Sequence, residues 1–354
     1  MGKVIYVALE NLPQRYTQMM NQSIINRLHE DDIVLYPNIH MDDKIHRGQF
    51  LDIVNTSRFK AAQLQEIADL FDAGKISNGD SFLIGDIFFP GIESIKYMAE
   101  LIGIDVKVYG INYAGRADST DFVQKLSAWA DYSETAYHMI CDGIFVGSED
   151  HKNHVVEYFG LNPATVHVTG LIWDLDYMEE FKNKIGTVAK ENFIIWPHRW
   201  APEKGIQDLV EFAAMTDKKI IVTSSGPEKN IGQLGKLPSN IEFRFNLTKL
   251  EYFTLMAKAR WYLSTAYQET YGYTVQEAIY FKCNVLVPNR ACNPEMVPGR
   301  NVYYHNSHID HDFSTKDLTI PFIWTSRWNK NAELMLALTR ESILEVPATY
   351  FNVR

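Results

Sequence analysis

Two short stretches of this chain combine charged residues with turn-forming neighbours in a way that suits the handling of an anion. The first, Pro197-His198-Arg199-Trp200-Ala201-Pro202-Glu203-Lys204-Gly205, follows the apolar run Phe193–Trp196 and leads into a helical pattern. Arg199 and Lys204 at the mouth of a strand, with Lys204 at a helix start, put two cations and free backbone N–H groups around one anion. A diphosphate fits that description. When a nucleoside diphosphate departs from a sugar, its growing negative charge is stabilised by such a site without any metal. The second stretch runs from Ser264 to Ala278 and carries Glu269 and Glu277 as an E-x7-E pair. The spacing puts Glu269 in the loop before a helix and Glu277 about two turns inside it. Two carboxylates so spaced accept hydrogen bonds from vicinal hydroxyls, one on a donor sugar and one on a ribose. Gly272, between them, lets the backbone approach a ligand closely. Each stretch alone has a bland reading, a solvated Arg and Lys in a loop or a chance pair of acids; their succession carries the chemistry.

The elements that must position these residues read as a parallel α/β protein, because short aliphatic runs alternate with longer helical segments. In the first half the strand candidates are Val4–Leu9, Ile33–Tyr36, Ser81–Ile84, Val106–Tyr109, Ile144–Val146 and Val166–Val168. In the second they are Phe193–Trp196, Ile220–Thr223, Ile241–Phe245, Trp261–Ser264 and Val285–Val287. At 354 residues the chain suits two domains. The charged, strand-poor stretch Asp174 to Glu191 is the expected linker. The expected division is an acceptor-binding domain over residues 1–173, a donor-binding domain over 174–325, and a C-terminal segment 326–354. Within that segment a helical pattern from Trp328 to Leu344 is expected to pack back on the first domain.

Composition narrows the function class. Hydrophobic residues are 46% and charged residues 22%, which permits a large core and excludes a disordered chain. No apolar run reaches the roughly 20 residues that span a bilayer, and the start lacks a signal-peptide layout, so the expectation is a cytoplasmic protein without a membrane partner. Cys141, Cys283 and Cys292 are odd in number and form no CxxC pair, which supports neither a disulfide framework nor a zinc knuckle. The net charge of -10 means a nucleic-acid partner must be held by a local basic patch.

Arg199 and Lys204 followed by the E-x7-E pair resemble the donor site of the family 4 retaining glycosyltransferases of the GT-B fold. The resemblance implies two Rossmann-like parallel-sheet domains facing a cleft, with a C-terminal helix crossing back. It also implies a UDP-sugar as co-substrate, with no separate cofactor and no metal. By that likeness Arg199 and Lys204 bind the diphosphate, Glu269 faces the sugar and Glu277 binds the ribose. Backbone near Tyr271, Gly272 and Tyr273 reaches the sugar or phosphates, and Ser225, Gly226 and Asn246 join the implied donor contacts. Trp196-Pro197-His198-Arg199-Trp200 and the run from Ser264 through Asn289-Arg290 to Glu295 are similar, more narrowly, to the tRNA-queuosine mannosyltransferases. The N-terminal half lacks the Gly-Gly-Ser-His opening of those enzymes. That departure points to the bacteriophage transferases that place glucose or arabinose on 5-hydroxymethylcytosine in double-stranded DNA, and hence to a host cytoplasm.

On the acceptor side the polar segment His40–Phe50 with Lys44 and Arg47, followed by Arg58 and Lys60, offers cations to phosphates, and Phe50 and Phe59 are available to fill the space of an extruded base. An ordinary exposed loop explains the same segment. Family 4 enzymes often carry a His beside the reacting sugar, and the comparable run Val108–Asp118 has none. It offers Asn112, Tyr113 and Arg116 as acceptor contacts and Asp118 as a proton acceptor; Asp86 is the alternative. A solvated carboxylate or a helix cap accounts equally for either acid. His305, His308 and His311 with Asp310 and Asp312 imitate a metal tract without an ordered ligand spacing. Asp174-Leu175-Asp176 imitates a DxD motif but falls in the linker, and His138 reads as a packed helix residue. Three readings stay open: transfer to hydroxymethylated DNA, transfer to tRNA queuosine or to a polysaccharide, lipid or small molecule, and a catalytically idle sugar-nucleotide or nucleic-acid binding module.

Overall fold

The computed structural model describes residues 2–12, 15–39, 54–126, 128–224, 236–303, 318–320 and 330–340. The chain divides into two compact units, Met1–Asp174 with Arg327–Arg354, and Leu175–Ser326.

In the first unit β1 (Val4–Val7), β2 (Ile33–Leu35), β3 (Ser81–Ile84), β4 (Lys107–Ile111), β5 (Gly143–Val146) and β6 (Val166–Val168) form one sheet in the order β2-β1-β3-β4-β5-β6. All its pairings are parallel. The strands β1, β3 and β5 are buried along their whole length, as helices on both faces demand. Those helices are α1 (Thr17–Ile25), α2 (Asn55–Asp72), α3 (Ile92–Ile102), α4 (Trp129–Ile140) and α5 (Glu149–Phe159). Their apolar stripes put Ile67, Phe71, Ile92, Ile95, Val155 and Phe159 into the core beside Ile5, Phe82 and Ile144. Ser148 caps α5 by accepting from the His151 N–H, and Gly160 ends it in a left-handed conformation. The helix Asn331–Thr339 belongs to this unit and packs on α1, β3 and β4. The Asn331 amide donates to the Leu171 carbonyl at 2.6 Å, and Arg340 pairs with the buried Asp32. The remainder of the expected terminal helix lies outside the described residues.

In the second unit β7 (Glu191–Trp196), β8 (Lys219–Ser224), β9 (Ile241–Phe245), β10 (Ala259–Leu263), β11 (Asn284–Pro288) and β12 (Val302–Tyr303) run parallel in the order β12-β11-β10-β7-β8-β9. The helices are α6 (Leu175–Ile185), α7 (Ile206–Ala214), α8 (Lys249–Lys258), α9 (Tyr273–Tyr280) and the short α10 (Asn293–Met296). Each of the eleven strand candidates coincides with a strand, and β12, only two residues long, was not foreseen. The expected linker needs correction: its first part is the helix α6, which packs on α8. Phe181 meets Phe253 edge-on at 5.0 Å between ring centroids, a contact worth about 1 kcal/mol beyond its area. Its many charges form the solvated face of an amphipathic helix, with Lys182 on Glu179 and Lys184 on Glu180.

Candidate functional site

Ligands of open α/β sheets bind beyond the carboxyl ends of the strands, where the strand order reverses. In the second unit that point lies between β7 and β10, and the loops leaving these strands are the two charged stretches of the sequence. They are zipped together by short bonds. The Trp196 indole N–H donates to Thr265 Oγ1 at 2.9 Å, Thr265 Oγ1 donates to the Lys204 carbonyl at 2.8 Å, and the Tyr267 N–H donates to the Glu203 carbonyl at 2.8 Å. Gly205 makes this closeness possible. Its φ of +69° suits glycine, and a Cβ there would stand 1.9 Å from the Thr265 carbonyl oxygen. From below, Arg290 donates to Asp208 at 2.6 Å and to the Thr265 carbonyl at 3.2 Å while lying 4.1 Å over the Tyr267 ring.

Within this frame Lys204 Nζ donates to Glu269 Oε1 at 2.6 Å and to the Gln268 carbonyl at 3.2 Å. Lys204 stands in the 3-10 turn Pro202–Lys204, immediately before α7. Burial alone would raise the Glu269 carboxyl, but Lys204 first, then Arg199, hold it below its ordinary value, so it is ionised. His198, unassigned by sequence reasoning, stands with Nδ1 3.6 Å from Glu269 Oε1 and Nε2 3.5 Å from the Tyr262 hydroxyl. Burial lowers its pKa to about 3, so the imidazole is neutral. The signal available for it was its place between the strand-ending Trp196 and Arg199. Arg199 is different: its side chain is 69% exposed and pairs with Glu203 at 3.0 Å.

Glu277 is fully buried and accepts from the Tyr252 hydroxyl at 2.5 Å. Gly272, with φ +68°, is the N-cap of α9, so Glu277 lies about one turn inside the helix rather than two. Both glutamates act electrostatically on the buried Tyr262 hydroxyl, which also meets Thr274 Oγ1 at 2.8 Å. The structure thus brings Lys204, Glu269, His198, Tyr262 and Glu277 into one neighbourhood. Tyr271 is buried and Tyr273 opens α9 against it, their rings 5.1 Å apart. Asn246 is exposed after β9, two strands from β7, with φ +54°. Ser225 and Gly226 lie outside the described residues.

In the first unit the strand order reverses between β1 and β3. Their loops bring Glu10 and Asp86 together with Lys60 of α2. Lys60 Nζ lies 3.8 Å from Asp86 Oδ2 and donates to the Phe88 carbonyl, and Thr56 Oγ1 donates to Glu10 Oε1 at 2.9 Å. Burial raises the Asp86 carboxyl; Lys60 and the Phe88 N–H oppose this, and Glu10 adds to it. Lys60 is therefore a buried counter-ion, not the phosphate-facing cation expected. Phe59 is also corrected: it is 1% exposed, packed edge-on against Tyr36, and has no free face for a base. Arg58 is exposed. Lys44, Arg47, Phe50 and the histidine tract lie outside the described residues.

Beyond β4 the Asn112 amide meets His138 Nε2 at 2.7 Å, Tyr113 is raised well above the ordinary tyrosine range by burial, and Arg116 pairs with Asp131 at 2.5 Å. Asp118 accepts from the Thr120 N–H and hydroxyl at 2.9 and 3.0 Å, a local turn bond. His138 is buried, stacks on Phe159 at 4.0 Å, and is lowered to about 4 by burial. All three cysteines are buried and none is in a disulfide. Among the described residues no group of three or more His, Cys, Asp or Glu is placed to hold a metal, and no helix is long and apolar enough to cross a membrane.

Comparison with known proteins agrees in fold. The sucrose-phosphate synthase of Thermosynechococcus elongatus superposes with a TM-score of 0.65 at 12% identity, over 96% of this chain and 99% of that one. The Anabaena protein HepE in complex with UDP-glucose gives 0.61 at 12% identity, over 95% and 99%. A glycosyltransferase from Rickettsia africae gives 0.62 at 13% identity, over 96% and 98%. In sequence, the tRNA-queuosine alpha-mannosyltransferase of Drosophila melanogaster is 29% identical over 119 residues, 31% of this chain and 32% of that protein. The matched stretch is thus about a third of that relative. No protein-family model matches the chain. With two parallel six-stranded sheets in series and these structural neighbours, the chain has the GT-B glycosyltransferase fold.

Proposed function

We propose that the protein is a glycosyltransferase that takes a sugar from a UDP-sugar, with its donor seat at the strand-order reversal of the second sheet. The observation that carries this reading is the contact of Lys204 with Glu269 beside neutral His198, at loops fixed by Gly205. Lys204 and the N-termini of α7 and α9 supply positive potential for a diphosphate, and exposed Arg199 is free to swing onto it. Glu269, ionised, accepts from sugar hydroxyls, and buried Glu277 accepts from the ribose once it shares Tyr252. The growing charge on the leaving diphosphate is met by these groups, so the transfer needs no metal, and the same phosphate takes the acceptor proton with retention at the anomeric carbon. The structural neighbour crystallised with UDP-glucose supports the donor class.

For the acceptor we propose a hydroxyl on a modified base, with Asp86, Glu10 and Lys60 as its polar seat and Asn112, Tyr113 and Arg116 beside it. The leading acceptor is 5-hydroxymethylcytosine in DNA; queuosine in tRNA is the second reading, favoured by the Drosophila relative. The test is incubation with UDP-glucose, UDP-arabinose and GDP-mannose and with hydroxymethylated DNA, unmodified DNA and queuosine tRNA, followed by mass spectrometry of the digested nucleosides. A sugar adduct confined to hydroxymethylated DNA is expected. An adduct only on tRNA moves the acceptor to the second reading. No adduct on any acceptor, together with no UDP binding by calorimetry, overturns the transferase reading.

A further inference from the structure

The loop Asn112–Asp118 leaves β4 and rests on one helix, α4, at two points. At its start the Asn112 amide donates to His138 Nε2. The direction follows from the other ring nitrogen, since His138 Nδ1 is 2.7 Å from the Glu134 carbonyl oxygen and must donate to it. At the loop's middle the Arg116 N–H donates to Glu134 Oε2 at 2.9 Å, and Gly115 lies so close that a Cβ would stand 2.6 Å from the same oxygen. Gly115 has φ +153°, a conformation side chains rarely adopt. The loop's outer side is tied as well: the Gln124 amide donates to the Arg116 and Asp118 carbonyls at 2.6 and 2.9 Å.

Glu134 is 1% exposed, and its second oxygen, Oε1, has no hydrogen-bond partner. A buried carboxylate with one accepted bond and an orphan oxygen is costly to ionise. The charged groups around it do not relieve that cost. Asp121, the N-cap of the 3-10 turn Phe122–Lys125, and Asp131 on its own helix repel it, and the nearby cation Arg116 is drawn to Asp131 and to Tyr158 of α5. His138 beside it and His151 of α5 are both neutral through burial, at about 4 and about 3.

We propose that Glu134 is a positioning residue whose ionisation tightens or releases the loop Asn112–Asp118. Ionised, it grips the Arg116 N–H with a charge-assisted bond; neutral, it accepts that bond weakly and its proton sits on one of the two oxygens. Burial raises its pKa to about 7, so the change falls in the neutral range. The folded value is above the unfolded one, so the stability Glu134 contributes is present below about pH 4.5 and is lost as pH rises through about 7. The effect on acceptor use rests on the transferase reading, since the loop carries Asn112, Tyr113 and Arg116; the latch itself does not.

The experiment is a pH titration of the full-length, isotope-labelled chain by NMR, from pH 5.5 to 8.5, for the wild type and E134Q. The Arg116 amide and the Glu134 side-chain carboxyl are expected to move together in the wild type with a midpoint near 7, and the Arg116 amide is expected to stay still in E134Q. Thermal unfolding is the second readout: the wild-type midpoint should fall between pH 5.5 and 8.5 relative to that of E134Q. A wild-type Arg116 amide that moves no more than that of E134Q overturns the proposal. UDP affinity, measured on the same samples, is expected to be equal in both proteins. Its absence from the wild type would count against the transferase reading and leave the latch standing or falling on the amide alone.

Discussion

The two sheets are built alike, yet the strand ends where each reverses its order are electrostatic opposites. Beyond β7 and β10 a half-buried acid, Glu269, is held below its ordinary range by Lys204. Beyond β1, β3 and β4 the acids Asp86 and Glu134 are raised, first by burial and then by neighbouring acids, Glu10 for the one and Asp121 and Asp131 for the other, against which Lys60 and Arg116 do not prevail. The backbone differs too. The second site is closed by contacts between two loops, whereas in the first the loop beyond β4 leans on a helix through single side chains. The same architecture therefore offers a seat for an anion in one unit and proton-holding groups in the other. In the proposed reading topology gives the place of each site, and the balance of burial against the nearest charges gives the chemistry it suits.

Substitutions can break or sharpen this contrast. The largest effect is expected from Gly205→Ala, whose Cβ would overlap the Thr265 carbonyl: a loss of about 4 kcal/mol in urea unfolding, with UDP binding abolished. A loss under about 1 kcal/mol would show that the loops are not locked. Lys204→Ala leaves the half-buried Glu269 without its counter-ion and should cost about 3 kcal/mol, with the UDP Kd rising about 100-fold by calorimetry. Its counterpart Lys60→Met should cost less, about 2 kcal/mol at pH 8 and still less at pH 5.5. Asp86 is already raised and takes up a proton as pH falls, and the penalty shrinks with it. Equal losses at both pH values would erase the contrast between the two lysines. The smallest stability change belongs to Arg199→Ala, below about 0.5 kcal/mol because the side chain is exposed, while the UDP Kd should rise about tenfold. An unchanged Kd would remove Arg199 from the donor seat.

Much of this was legible in the sequence because parallel strands buried on both faces leave continuous apolar runs, as in Val4–Val7 or Ile220–Val222. The β12 strand escaped because two residues carry no period, and α6 because its charges masked a stripe anchored by Met178 and Phe181. Of the residues proposed for the donor seat, spacing singled out Lys204, Glu269 and Glu277, since a turn and a helix start fix their separation. It could not find Tyr252, which reaches Glu277 across 25 residues, or Tyr262, which reads as one more strand residue. The burial of Glu134 and Lys60 escaped for another reason: on a helix each looks like an ordinary solvated charge, as Lys60 was read, and only the packing reveals that each is buried.

The carbonyl that fills the space beside Gly205 also bears on the energetics of capture. A seat whose walls are backbone, already in register, has little freedom left to surrender when a guest arrives. Its affinity is therefore drained less by ordering and is governed by how well the guest's charge replaces the internal partner of Lys204.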